Sequence, residues 1–146
     1  MTELRFEELR VLVVEDQDFI RSIVVKLLRD AKVGVIDEAR DGQTALERMR
    51  LSPHAHDVVI CDLNMAPMDG FEFIRKVRAS RDLPDKTVPV IVLTGHTDIE
   101  TVLEAQKLDI DSFVAKPVSK KQLLLRIEKA IFKRRGIVPA NEVGGL

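Results

Sequence analysis

The stretch Val58-Val59-Ile60-Cys61-Asp62-Leu63-Asn64-Met65-Ala66-Pro67-Met68-Asp69-Gly70 decides the fold. Its first four residues form a short apolar run suited to a strand buried on both faces, and the run closes on the carboxylate of Asp62. Proline, aspartate and glycine then signal a turn. One carboxylate at one strand end means little, but three further runs behave the same way. Val11 to Val14 ends in Glu15-Asp16, Val90 to Leu93 in Thr94-Gly95, and Phe113 to Ala115 in Lys116-Pro117. Of the five apolar runs, only Val33 to Ala39 does not deliver a chemically capable side chain at its end.

The intervening segments change to helical period. Phe19, Ile20, Ile23, Val24, Leu27 and Leu28 recur at spacings of three and four and draw one apolar stripe. Gly42 to Arg50 carries Ala45, Leu46 and Met49 on its inner side. Phe71, Ile74 and Val77 mark a third helix, Ile99, Val102 and Leu103 a shorter fourth, and Leu123, Leu124, Ile127, Ala130 and Ile131 a fifth. Thr97-Asp98-Ile99-Glu100 and Ser119-Lys120-Lys121-Gln122 have capping-box spacing where the last two helices begin. Strands alternating with helices require crossover connections. Right-handed crossovers cover both faces of a parallel sheet, so the predicted fold is a doubly wound five-stranded α/β domain. Residues 10–133 form that domain, with 1–9 an N-terminal extension and 134–146 a flexible C-terminal tail.

At 146 residues and 45% apolar content the chain can build one sizeable core. Lys and Arg total 23 against 24 for Asp and Glu, a net charge of −1, which gives no global attraction to nucleic acid or anionic membrane. The single cysteine, Cys61, sits inside an apolar run and reads as a buried hydrophobe in a reducing compartment. No apolar stretch reaches the roughly 18 residues a membrane helix needs, and the N-terminus lacks a signal-peptide core. These features predict a cytoplasmic protein without membrane insertion or direct nucleic-acid binding. His54 and His56 bracket Ala55 before the third strand and read as surface residues. Lys129, Lys133, Arg134 and Arg135 give the fifth helix a basic end that complements its dipole.

Ligands of doubly wound sheets gather outside the carboxyl ends of the strands, where Glu15, Asp16, Asp62, Thr94 and Lys116 are all expected. Two carboxylates about 5 Å apart repel by about 3 kcal/mol at an effective dielectric near 20, so the cluster calls for positive charge. Oxygen donors without His or Cys suit a hard cation, and Mg²⁺ is the best match. Lys116 adds an ammonium and Thr94 a hydroxyl. Around one carboxylate this set makes a pocket for a transferring phosphoryl group, with Asp62 as nucleophile.

In these motifs the chain resembles the receiver domains of two-component response regulators, over about Arg10 to Lys133. The resemblance implies a flavodoxin-like (βα)5 sheet of order 2-1-3-4-5. It also implies Glu15 and Asp16 as the acidic metal pair, Asp62 as phosphoacceptor and the Asn64 backbone carbonyl as a further metal contact. Thr94 matches the switch hydroxyl, Lys116-Pro117 the lysine with its cis proline, and Phe113 the aromatic switch position. His96, two residues after Thr94, matches a position that tunes hydrolysis of the acyl phosphate. Three features depart from the commonest pattern: Glu15 where Asp is also common, Ala66 where proline usually stands with Pro67 after it, and Phe113 without the hydroxyl of Tyr.

The implied protein is a switch that catalyses only its own phosphorylation and dephosphorylation. Its phosphoryl donor would be a histidine kinase or histidine phosphotransfer protein. A downstream protein would read the surface of helix four, strand five and helix five, which could also form a homodimer. Two alternatives stand beside this: the receiver portion of a longer DNA-binding regulator, and a haloacid-dehalogenase-type phosphatase. The latter expects a second Asp two residues after the nucleophile, where Asn64 stands.

Overall fold

The structure, a computed structural model, describes residues 4–95 and 99–136. Five strands, β1 (Arg10–Val14), β2 (Val35–Ala39), β3 (Val58–Asp62), β4 (Val90–Thr94) and β5 (Ser112–Ala115), alternate with five helices. The helices are α1 (Asp18–Asp30), α2 (Gly42–Leu51), α3 (Gly70–Ala79), α4 (Ile99–Lys107) and α5 (Lys120–Arg135). All pairings are parallel and the order is β2-β1-β3-β4-β5, the flavodoxin-like arrangement expected.

Strand alternation divides the core into two layers. Leu12, Val14, Val59, Cys61, Val90 and Val92 pack with Ala45, Leu46 and Met49 of α2 and Phe73, Ile74 and Val77 of α3. Val11, Val13, Val58, Ile60, Ile91 and Leu93 face Val24, Val25 and Leu28 of α1 and Leu123, Ile127 and Ile131 of α5. Every residue of β3 and β4 is buried, which is why those runs are continuously apolar rather than alternating.

Side chains from the preceding loops start three helices. Asp41 accepts from the Thr44 amide at 2.7 Å, Asp69 from Glu72 at 2.8 Å and Ser119 from Gln122 at 3.4 Å. The Thr97 cap and His96 lie outside the described residues. Gly70 opens α3 hard against the acceptor strand: a Cβ there would collide with the Asp62 carbonyl and the Leu63 Cα.

Three expectations need correcting. β2 begins at Val35 rather than Val33, because the Val33 amide turns back to the Leu28 carbonyl and helps close α1. α5 runs through Arg134 and Arg135, past the boundary drawn at 134. Gly136, at φ 69°, ends it, supplying the left-handed turn that a glycine tolerates best. His56 is not a surface residue. Its side chain is 1% exposed and its Nε2 lies 2.7 Å from Asp37 Oδ2 on β2, whereas His54 is exposed as expected. Before β1, a short 3-10 turn (Phe6–Glu8) leads into Leu9, which is buried in the core.

Candidate functional site

Strand register sets the geometry of the site. Val14 is level with Cys61, so Glu15 and Asp62 are the next residues out on adjacent strands. Asp62 pairs with Leu93, which puts Thr94 one step beyond it, and Thr94 pairs with Ala115, which puts Lys116 at the rim. The Lys116 amide donates to the Thr94 carbonyl at 3.1 Å. The Lys116-Pro117 peptide is cis, as the resemblance implied, and Ala66-Pro67 is cis as well.

Glu15, Asp62 and Thr94 are buried, whereas Asp16 is exposed. One carboxylate oxygen from each of Glu15, Asp16 and Asp62 lies within 4.8 Å of the others. The Lys116 ammonium bridges two of them, 3.1 Å from Asp62 Oδ2 and 3.3 Å from Glu15 Oε1. The Asn64 amide donates to Asp62 Oδ1 at 3.2 Å and the Gln17 amide to Glu15 Oε2 at 3.4 Å. The structure thus brings together Glu15, Asp16, Asp62, Asn64 and Lys116, with Thr94 on the adjoining strand end. Phe113 is set back along β5, half-buried against the α2–α3 core layer.

One ammonium does not balance three carboxylates. Burial, with a hydrogen bond and repulsion from Asp62, pushes the Glu15 carboxyl up to about 7, and the Lys116 charge only partly offsets this. Burial alone would lower the Lys116 ammonium, but Asp62 and Glu15 outweigh it and hold the group above its usual value. A proton on Glu15 therefore does in part what a cation would do. Oxygen-only donors, close spacing and unmet negative charge fit a hard divalent ion.

Arg21 belongs to this neighbourhood although nothing in the sequence marks it. Arg21 lies on the first turn of α1 and donates to the Glu15 carbonyl at 2.8 Å. Met68 is buried in the β3–α3 loop beside Gly42, at the start of α2.

A flavodoxin-like parallel sheet with an acid–lysine–hydroxyl rim is the pattern to set beside known proteins. The family model for the response regulator receiver domain matches residues 11–128, and the chain belongs to that family. Chemotaxis protein CheY of Pseudomonas aeruginosa is 34% identical over 126 residues, covering 86% of this chain and 98% of that protein. Chemotaxis protein CheY-3 of Vibrio cholerae is 32% identical over 128 residues, covering 88% and 95%. Among solved structures, chemotaxis protein CheY4 of Vibrio cholerae superposes with a TM-score of 0.76 at 32% identity, covering 84% of this chain and 98% of that one. Proteins of this family are signalling switches of two-component systems rather than classical enzymes, which removes the dehalogenase-type reading. Receivers bind Mg²⁺ at an acidic pocket and interact with histidine kinases and downstream targets. Among the described residues, no helix is long and apolar enough to cross a membrane.

Proposed function

We propose that Asp62 accepts a phosphoryl group from a phosphohistidine of a kinase or phosphotransfer protein, and that the acyl phosphate so formed is the signal. The observation that carries this is the Lys116 ammonium seated between Asp62 and Glu15 at one strand rim, with Asp16 alongside. Glu15, Asp16, Asp62 and the Asn64 carbonyl would hold Mg²⁺, which supplies positive charge against the oxygens of the moving group. An Asp62 oxygen forms the new P–O bond while the P–N bond of the donor breaks and its electron pair stays on the imidazole. Lys116 turns its ammonium toward a phosphoryl oxygen and the Thr94 hydroxyl donates to another. Slow attack of water on the same phosphorus returns the free carboxylate. Intact mass after incubation with a small acyl phosphate tests the reading: one phosphoryl group is gained with Mg²⁺ and none with a chelator. Equal gain under both conditions would refute the metal's part.

The output follows from added charge on Asp62. Drawing Thr94 and Lys116 toward it vacates space behind β4, and Phe113 turns inward. Phe113 borders a groove of about 440 Å³ with Val114, Ala115, Pro117, Ser119, Gln122 and Arg126. The groove lies on the β5 and α5 part of the surface of α4, β5 and α5, where a downstream protein, or a second copy, would read the state. The ratio of partner affinities between phosphorylated and free forms should shrink several-fold, by about 1 kcal/mol of coupling, in Phe113→Ala. An unchanged ratio in a binding titration would remove Phe113 from the switch.

The Glu15 carboxyl also makes ion binding pH-dependent. Metal competes with the proton held at about 7, so affinity rises as pH increases through that value. Between pH 6 and pH 8 calorimetry should show roughly a tenfold gain in Mg²⁺ affinity, against almost none for Glu15→Gln.

A further inference from the structure

We infer that Arg21 is the positioning residue of the acidic pair, a role that rests on the proposed metal-dependent phosphorylation. Its guanidinium uses all three nitrogens: Nη1 donates to the Glu15 carbonyl at 2.8 Å, Nη2 to Asp18 Oδ1 at 2.7 Å and Nε to Glu38 Oε1 at 3.2 Å. Only 17% of the side chain is exposed. The Glu15 amide still donates to the Ala39 carbonyl at 3.0 Å, but the β1 strand ends there. The next carbonyl outward, that of Glu15, is met by Arg21.

The Glu15 carbonyl belongs to the same rigid peptide plane as the Asp16 amide, so fixing one fixes the other. Asp16 is exposed and carries one of the three clustered carboxylates. The guanidinium is planar and presents its donors in a fixed fork, so three simultaneous bonds lock that plane to α1 through Asp18 and to the end of β2 through Glu38. A lysine ammonium could keep the charge without holding all three acceptors.

Charge and positioning make opposite predictions. Removing a cation beside an acidic cluster should, by Coulomb's law alone, tighten Mg²⁺ binding. Loss of a group that orients ligands weakens metal affinity, typically about 10- to 100-fold. Because the chain has no Trp or Tyr, Mg²⁺ is titrated by calorimetry or amide chemical shifts rather than intrinsic fluorescence. Arg21→Ala should raise the Mg²⁺ Kd about tenfold and Arg21→Lys about threefold. Saturating Mg²⁺ should restore the wild-type rate of phosphorylation by a small acyl phosphate. If Arg21→Ala does not fold, Arg21→Lys carries the test. An unchanged or tighter Kd in either folded variant, with wild type phosphorylated normally, overturns the role of Arg21 and leaves the proposed function standing. Failure of wild type itself to take the phosphoryl group overturns both.

Discussion

Asp62→Asn protein incubated with Mg²⁺ and a small acyl phosphate should keep its unmodified mass, with acceptance down by at least about a thousandfold. The amide has no anionic oxygen to attack phosphorus. The other carboxylates offer no substitute: Glu15 is buried and tied to Lys116, and Asp16 would be engaged by the proposed ion. The loss should come without unfolding. Lys116 keeps Glu15 at 3.3 Å, and the site is relieved of one of three mutually repelling groups. Melting without divalent ion should therefore stay close to wild type or rise. The Glu15 carboxyl, now held up mainly by burial, should titrate lower than before. A phosphorylated Asp62→Asn chain would move the acceptor elsewhere.

Arg78→Ala should produce the largest loss of stability. From α3 this guanidinium donates to four backbone carbonyls: Val88 at 2.7 Å, Lys86 at 2.9 Å, and Leu108 and Asp109 at 3.0 Å each. It thereby pins the entry to β4 and the turn between α4 and β5, neither of which has strand pairing of its own at that point. Burial, and repulsion from Arg134, lower its otherwise very high pKa without removing the charge. Charge-assisted bonds are worth about 1.5–3 kcal/mol apiece when buried, and two of these four are partly buried while two are exposed. About 3 kcal/mol is the expected loss in denaturant unfolding; a change below about 0.5 kcal/mol would show the carbonyls finding water at no cost.

Local patterning in the chain was enough to locate the strands, helices and rim residues, because each is written in neighbours two, three or four positions apart. Strand order is different: nothing in the spacing of five runs distinguishes 2-1-3-4-5 from its permutations, and it came from family resemblance. His56 shows the same limit. Its partner Asp37 lies on β2, two strands away from β3, across the start of β1, so no sequence neighbour signals burial. Nothing in the sequence marks Arg21, since two of its acceptors are a backbone carbonyl just past β1 and a side chain on β2. Arg134 and Arg135 form the basic end expected of α5 although the expected domain boundary falls before them, and Arg134 pairs with Asp109 at 3.0 Å and Asp111 at 3.4 Å. These ion pairs, with the glycine that follows, carry the helix further than its apolar stripe.

The course of α5 back across the sheet has a practical consequence. Arg135 approaches Asp57, just ahead of β3, at 3.9 Å, and Leu9 leads into β1 at the same pole, so among the described residues the first strand and the last helix both meet the pole opposite Asp62. A dye attached at Arg135 or just before Leu9 would therefore stand behind the domain, leaving the rim around Asp62 open.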